Sequence, residues 1–388
     1  MTRRARLAGV CLVAAVALLA APVRADVLHL KDGRRIGGEV LSEGARLVRV
    51  RMGDGRIRTF RAEDVLRIEK GVNLAADVDQ AERDAPFMPG LELDERKAVR
   101  AAAERVEGPL GVALSAAARR HAWVFGDHPQ HELSQVAESV EKTVLDFADV
   151  FRCEPGDALP ADRPGSGTGR GQVAGVFHVF QFQEEPAYLR YVDKVFARER
   201  DDTVNDERLA LMRRQRGFWV MSPRPLMARY RGPGTLNTVV SNAAHQASHA
   251  LLLMYRPAGD WMPWWYLEGF ATWQEIRLTG SNLTYCIEVA RPGEYARDGT
   301  PEADELGKAN GAEPWRRDVR DLIRRNDDKD LAMLAKLSLN EILFEDVQQS
   351  WSVVTWLAEQ DRLVAFTHAY KETRTIEGAC RGALDVDP

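Results

Sequence analysis

The chain has 388 residues, of which 45% are hydrophobic, 29% charged and 8% aromatic, and its formal charge is −5. This composition excludes a wholly disordered chain, a collagen-like repeat and a small disulfide scaffold, and the length suits about two or three domains. The acidic balance argues against nucleic acid as a partner.

In chain order, the first expected element is an export signal. Arg3, Arg4 and Arg6 precede an apolar run from Leu7 to Pro22, and Val23-Arg24-Ala25 follows it. A charged start, a short apolar middle and a small-residue end predict a signal peptide over 1–25. The run is short for a bilayer span, so no stable membrane span is expected after cleavage, and the mature chain is expected to be periplasmic or secreted. Cleavage removes four Arg and no acid, leaving 49 basic against 58 acidic residues, a charge of −9. Cys153, Cys286 and Cys380 remain. With an odd count, one disulfide in any of three pairings or three thiols are both open.

From Asp26 to Lys70, short alternating runs are broken by Lys31-Asp32-Gly33 and Gly53-Asp54-Gly55. Asp-Gly turns between period-2 runs predict five strands and a small SH3-like β-barrel over 26–70. The alternating Arg49/Arg51 and Arg56/Arg58 read as a solvated strand face rather than an anion site. An acidic stretch with Pro86 and Pro89 predicts a linker over 71–94, followed by the main domain over 95–380.

Helices are expected over 92–106 and 129–151, from charged and alanine-rich sequence in the first and apolar spacing in the second. His128 and His131 have no third ligand nearby in sequence, so no metal is expected there. Gly165 to Gly171 is glycine-rich, but prolines precede it and a strand over 173–182 follows it, so it reads as a surface loop and not a phosphate cradle. Two strands over 217–221 and 226–230 then lead to a helix over 237–255. Further on, Asp327-Asp328-Lys329-Asp330 lacks the remaining spacing of a calcium loop and reads as an acidic turn opening a helix.

The 237–255 helix carries the chemistry. It is almost wholly apolar apart from His245 and His249. At i and i+4 the two imidazoles share one helical face a turn apart, a spacing that suits zinc. Glu268 follows in Trp264-Trp265-Tyr266-Leu267-Glu268-Gly269-Phe270-Ala271, where a second helix can turn a carboxylate back toward the pair. Two nitrogens, one oxygen and an open fourth position would make a Zn2+ site. The surrounding Trp261, Trp264, Trp265, Tyr266, Phe270 and Trp273 read as helix-to-helix core packing.

These residues resemble the gluzincin metallopeptidases of the thermolysin-like superfamily, whose pattern is His-Glu-x-x-His on one helix and Glu on the next, often in Trp-x-x-Glu-Gly-x-Ala. Residues 265–271 match that phrase at each fixed place. The resemblance spans about 120–375, with sharp motifs only over 237–275, and it extends to the later Gln349-Ser350-Trp351. It implies zinc ligation by His245, His249 and Glu268. The expected fold is therefore α+β: the small barrel, then a gluzincin-like domain with an edge β-sheet and a mostly helical lobe.

The departure from the family lies at Gln246, where the family carries its general base. An amide cannot accept the proton that a carboxylate would take from the attacking water, and losing a general base costs about 10² to 10⁴ in rate. The family's tyrosine near the metal also has no counterpart, since Val347 occupies that place. Glu275, two turns beyond Glu268, could orient a zinc-bound His or stand in as base. Three readings follow: an impaired pseudopeptidase binding a peptide, protein or cell-envelope component, an active amide hydrolase with a relocated base, and a metal-free structural domain.

Overall fold

In the computed structural model the described residues are 24–31, 35–44, 46–52, 56–73, 84–159, 176–200, 204–221, 225–232, 235–255, 262–284, 286 and 311–384. The predicted signal peptide up to residue 23, the glycine-rich loop over 165–171 and Trp261 lie outside them. Described residues up to Asp84 form one compact unit, and those from Ala85 onward form a second.

Alternating sequence gives the first unit its strands: β1 (Arg24–Leu30), β2 (Arg35–Glu43), β3 (Leu47–Arg51), β4 (Ile57–Arg61) and β5 (Val65–Asn73). All neighbours pair antiparallel in the order β4-β3-β2-β1-β5. The closed barrel expected over 26–70 is not formed among the described residues. The five strands form an open sheet, and among the described residues no ladder joins β4 to β5 to close a barrel. Leu28, Val48 and Val50 form its small core, while Arg49 and Arg51 point outward. Arg51 pairs with Glu39 at 2.6 Å.

The second unit holds a five-stranded mixed sheet in the order β6-β7-β8-β10-β9. Its strands are β6 (Ser115–Arg119), β7 (Ala122–Gly126), β8 (Phe177–Phe182), β9 (Gly217–Val220) and β10 (Leu226–Tyr230). β7, β8 and β10 run parallel, and β6 and β9 are antiparallel edges. Counting helices of seven or more residues, α1 (Leu93–Leu110), α3 (Glu185–Tyr191) and α4 (Asp206–Arg214) cover one face. The other face is covered by α2 (Gln130–Phe151) and α5 (Leu236–Met254), backed by α6 (Trp264–Thr279), α7 (Ala312–Arg325), α8 (Phe344–Glu359), α9 (Leu363–Thr373) and α10 (Ile376–Leu384). Helices on both faces leave β7 and β8 buried along their whole length. The whole is mixed α+β.

Ordered structure extends into both ends of the range read as a linker. β5 continues to Asn73, and Met88 and Leu91 are buried in the core under α1. No helix among the described residues is long and apolar enough to cross a membrane. Cys153, Cys286 and Cys380 are thiols, and none is in a disulfide.

Candidate metal centre

The site depends on two helices held at close range. The Thr235 hydroxyl caps α5 by accepting from the Thr238 amide at 3.0 Å, and Ala243, Ala244, Ala247 and Ala250 keep its buried faces slim. Pro263 precedes the first turn of α6, and Gly280 ends it at φ 86°, the left-handed conformation that glycine adopts readily. At Gly269 a Cβ atom would stand 2.8 Å from the Ser350 backbone, so the Glu-Gly step lets α8 approach α6 directly. Trp265, Tyr266 and Phe270 are fully buried, and the Tyr266 hydroxyl meets Thr367 Oγ1 at 2.6 Å. The aromatic run is core packing, and Val347 lies in the same core.

His245 and His249, one turn apart on α5, bring their Nε2 atoms to 3.1 Å from each other. Glu268 spans both, with Oε2 3.4 Å from His245 Nε2 and Oε1 3.3 Å from His249 Nε2. Cys286, beyond α6, places Sγ 3.5 Å and 3.7 Å from the same two nitrogens. Among the described residues this is the one group of His, Cys, Asp and Glu side chains with donors close enough to hold a metal ion, all within 4.8 Å of one another. His245, His249 and Glu268 are at most 1% exposed.

The spacing fits a four-coordinate ion. Metal bonds of about 2.0–2.1 Å to nitrogen or oxygen and about 2.3 Å to sulfur, at tetrahedral angles, separate N and O donors by about 3.3 Å and N and S by about 3.6 Å. The five separations above lie within a few tenths of an ångström of those edges. Glu268 Oε1 is buried and accepts no hydrogen bond, an expensive arrangement for a carboxylate without a cation.

Glu275 stands behind His245. Its Oε2 is 2.8 Å from His245 Nδ1, and its Oε1 accepts from the Ser241 hydroxyl at 2.5 Å and the Leu283 amide at 2.7 Å. A carboxylate on Nδ1 fixes the tautomer that leaves Nε2 as a lone-pair donor. Both Glu275 oxygens are engaged, and the imidazole ring separates them from the donor cluster. His249 is held differently: its ring stacks on Trp219 of β9, with centroids 5.8 Å apart and planes 9° from parallel, and its Nδ1 accepts or donates no hydrogen bond.

Electrostatics describe the same cluster. Burial alone would lower the His245 pKa, but the nearby Cys286 sulfur and hydrogen bonds to Cys286, Glu268 and Glu275 outweigh it and hold the imidazole well above its ordinary value. Burial likewise opposes charge on His249, and Glu268 and Cys286 raise it. Burial works against Glu268 ionisation, yet His249 and His245 keep the carboxyl far below the usual range. These opposed shifts come from donors held in contact, and a metal ion at this point would favour the deprotonated form of each of them.

The structure brings His245, His249 and Glu268 together and sets Glu275 behind them. Gln246, next to His245 on α5, donates through Nε2 to Cys286 Sγ at 3.4 Å, and its Oε1 is buried without a partner. Cys286 is the member that sequence reasoning missed, having treated it only as half of a disulfide or a plain thiol. The available signal was an unmatched thiol shortly after the Glu268 helix in a chain with a His-x-x-x-His pair. The rejected candidates stand apart: His128 pairs with Glu132 at 3.0 Å, and Asp330 caps the turn Leu331–Leu334 by accepting from the Met333 amide at 2.7 Å. No family model matches the chain, and comparison with curated proteins and with solved structures finds no match either.

Proposed function

We propose that the protein is an exported, gluzincin-like zinc protein that has given up hydrolysis and binds an extended peptide, protein segment or other cell-envelope component. In this reading 1–25 is a removed signal, the N-terminal sheet is of SH3-like type, and His245, His249 and Glu268 hold Zn2+. Two imidazoles, a carboxylate and a nearby thiol form a donor set that suits zinc. When bound, zinc would supply Lewis acidity at this point.

The observation that carries the reading is the missing base. Gln246 stands where the family has Glu, and Glu275, the nearest substitute in sequence, is occupied by His245, Ser241 and Leu283. An acid–base step is thereby lost while the donors stay assembled. Binding is supported by β9, an edge strand of the mixed sheet whose Trp219 lies on His249. Edge strands receive extended peptides by adding a strand to the ladder.

Elemental analysis of the purified wild type and His249→Ala tests the metal, and incubation of the zinc-loaded protein with a peptide library tests the loss of hydrolysis. About one zinc per chain, absent from the variant, with no cleavage, is expected. A wild type without zinc after incubation with the metal would leave both histidines as core residues, and zinc-dependent cleavage would make the protein a working hydrolase.

A further inference from the structure

We infer that Cys286 is the fourth ligand of this metal site, and that Gln246 is the residue that fits a thiolate there. The inference rests on the metal reading above and concerns what fills the position a hydrolytic centre leaves to water. Sγ lies 3.5 Å from His245 Nε2 and 3.7 Å from His249 Nε2, against about 3.6 Å for nitrogen and sulfur on one tetrahedral ion. A second observation points the same way: Glu268 Oε1, in a residue 1% exposed, faces the cluster without a hydrogen bond, and a cation held by the four donors would satisfy it. Three protein ligands and an open place define catalytic zinc, whereas four define a closed site.

Gln246 then has a positive role. Its amide nitrogen donates to Sγ at 3.4 Å, a contact that supports negative charge on sulfur. A glutamate there would bring a second anion against the thiolate and could not donate. Gln246 and Cys286 thus form one arrangement: where a hydrolytic centre of the resembled kind would hold a water and its base, this site holds a thiolate and its donor. This predicts that Gln246→Glu alone does not restore hydrolysis, because the position for water is still filled.

Cobalt(II) titration of the full-length protein decides it. Wild type is expected to show the visible bands of tetrahedral cobalt together with a near-ultraviolet sulfur-to-cobalt charge-transfer band, and Cys286→Ser is expected to keep the visible bands and lose the charge-transfer band. Visible bands without charge transfer in wild type, or charge transfer that persists in Cys286→Ser, would overturn the ligand assignment and leave the metal reading standing. Failure of wild type to bind cobalt or zinc would remove both. Should Cys286→Ser not fold, alkylation of wild type with and without zinc, mapped by peptide mass, gives the same answer: zinc is expected to protect Cys286 at least about tenfold, and equal labelling would sink the inference. Gln246→Ala is expected to weaken cobalt binding about 10- to 100-fold, as loss of a partner to a ligand does.

Discussion

The two faces of the mixed sheet are built to different rules. Toward α1, α3 and α4 the core is apolar and aromatic: Phe180 stacks on Tyr191 at 4.4 Å, and even the buried His178 lies against Trp123 and Phe125, with centroids 5.3 Å and 6.0 Å away. Toward α5 and α6 the core buries His245, Ser248, His249, Glu268, Thr272, Gln274 and Glu275. One buried histidine needs no ion. Two imidazoles, a carboxylate and a thiol in mutual contact form a group that could hold one, and burying them is costly unless their charges are balanced. The first face is packing alone, while the second, no less aromatic around Trp265, Tyr266 and Phe270, also carries a buried polar cluster.

The largest effect that would sharpen this contrast comes from reopening the site. Gln246→Glu combined with Cys286→Ala restores a base and vacates the fourth position. Zinc-dependent cleavage of a peptide library is expected to rise about 10²- to 10⁴-fold over Cys286→Ala alone, the usual worth of a general base. Gln246→Glu by itself is expected to stay inactive, and activity in that single variant would show that Cys286 does not occupy the place.

On the other face, Phe180→Ala is expected to lower unfolding free energy by about 3–5 kcal/mol, through lost burial and a cavity, while zinc stoichiometry stays unchanged. Denaturant unfolding and elemental analysis read the two quantities separately. Metal loss from this variant would break the division between the faces. Removing the metal with a chelator should act from the opposite side. A ligand at a hundredfold excess over its Kd stabilises by about 2.7 kcal/mol, and a domain of this size shifts by about 2–4 °C per kcal/mol, so Tm should fall by roughly 5–10 °C. An unchanged Tm would mean that the buried donors are satisfied without a cation.

The same contrast explains what the sequence made legible. The five N-terminal strands were readable because Asp-Gly pairs punctuate the sequence and β3 has one solvated face, so Val48 and Val50 alternate with Arg49 and Arg51. The open edge was not, because closure depends on how β4 and β5 meet in space. β6 and β7 escaped notice because both faces are covered: Ala116 and Ala118 pack to one side and Ala117 to the other, which erases alternation and leaves a run of helix-forming alanines. His245, His249 and Glu268 were readable from helical spacing. Cys286 lies outside any helix, and only the fold of the chain after α6 brings it to the histidines.

Within the site, Glu275→Gln should weaken zinc binding by about 10- to 100-fold while the protein remains folded, since the amide keeps the shape but no longer fixes His245 Nδ1 as a donor to a carboxylate. Competition with a chromophoric chelator measures it. An unchanged affinity would mean that α5 alone orients His245.

The smallest expected effect concerns the seam between sheet and site. Trp219 belongs to β9, the edge proposed to receive a partner, and its ring lies parallel to that of His249, whose Nδ1 has no hydrogen bond to steer it. An aromatic contact of this kind contributes about 0.5–1.5 kcal/mol, so Trp219→Ala should weaken zinc binding roughly 2- to 12-fold, and Trp219→Phe by less. If stacking orients the imidazole, the effect will follow ring area across the two variants. It also makes the coupling reciprocal: a peptide added to β9 would shift Trp219 and be felt as a change in zinc affinity of similar size. Equal affinities in wild type and both variants would separate the edge strand from the metal and leave the site a structural clamp between α5, α6 and the chain beyond.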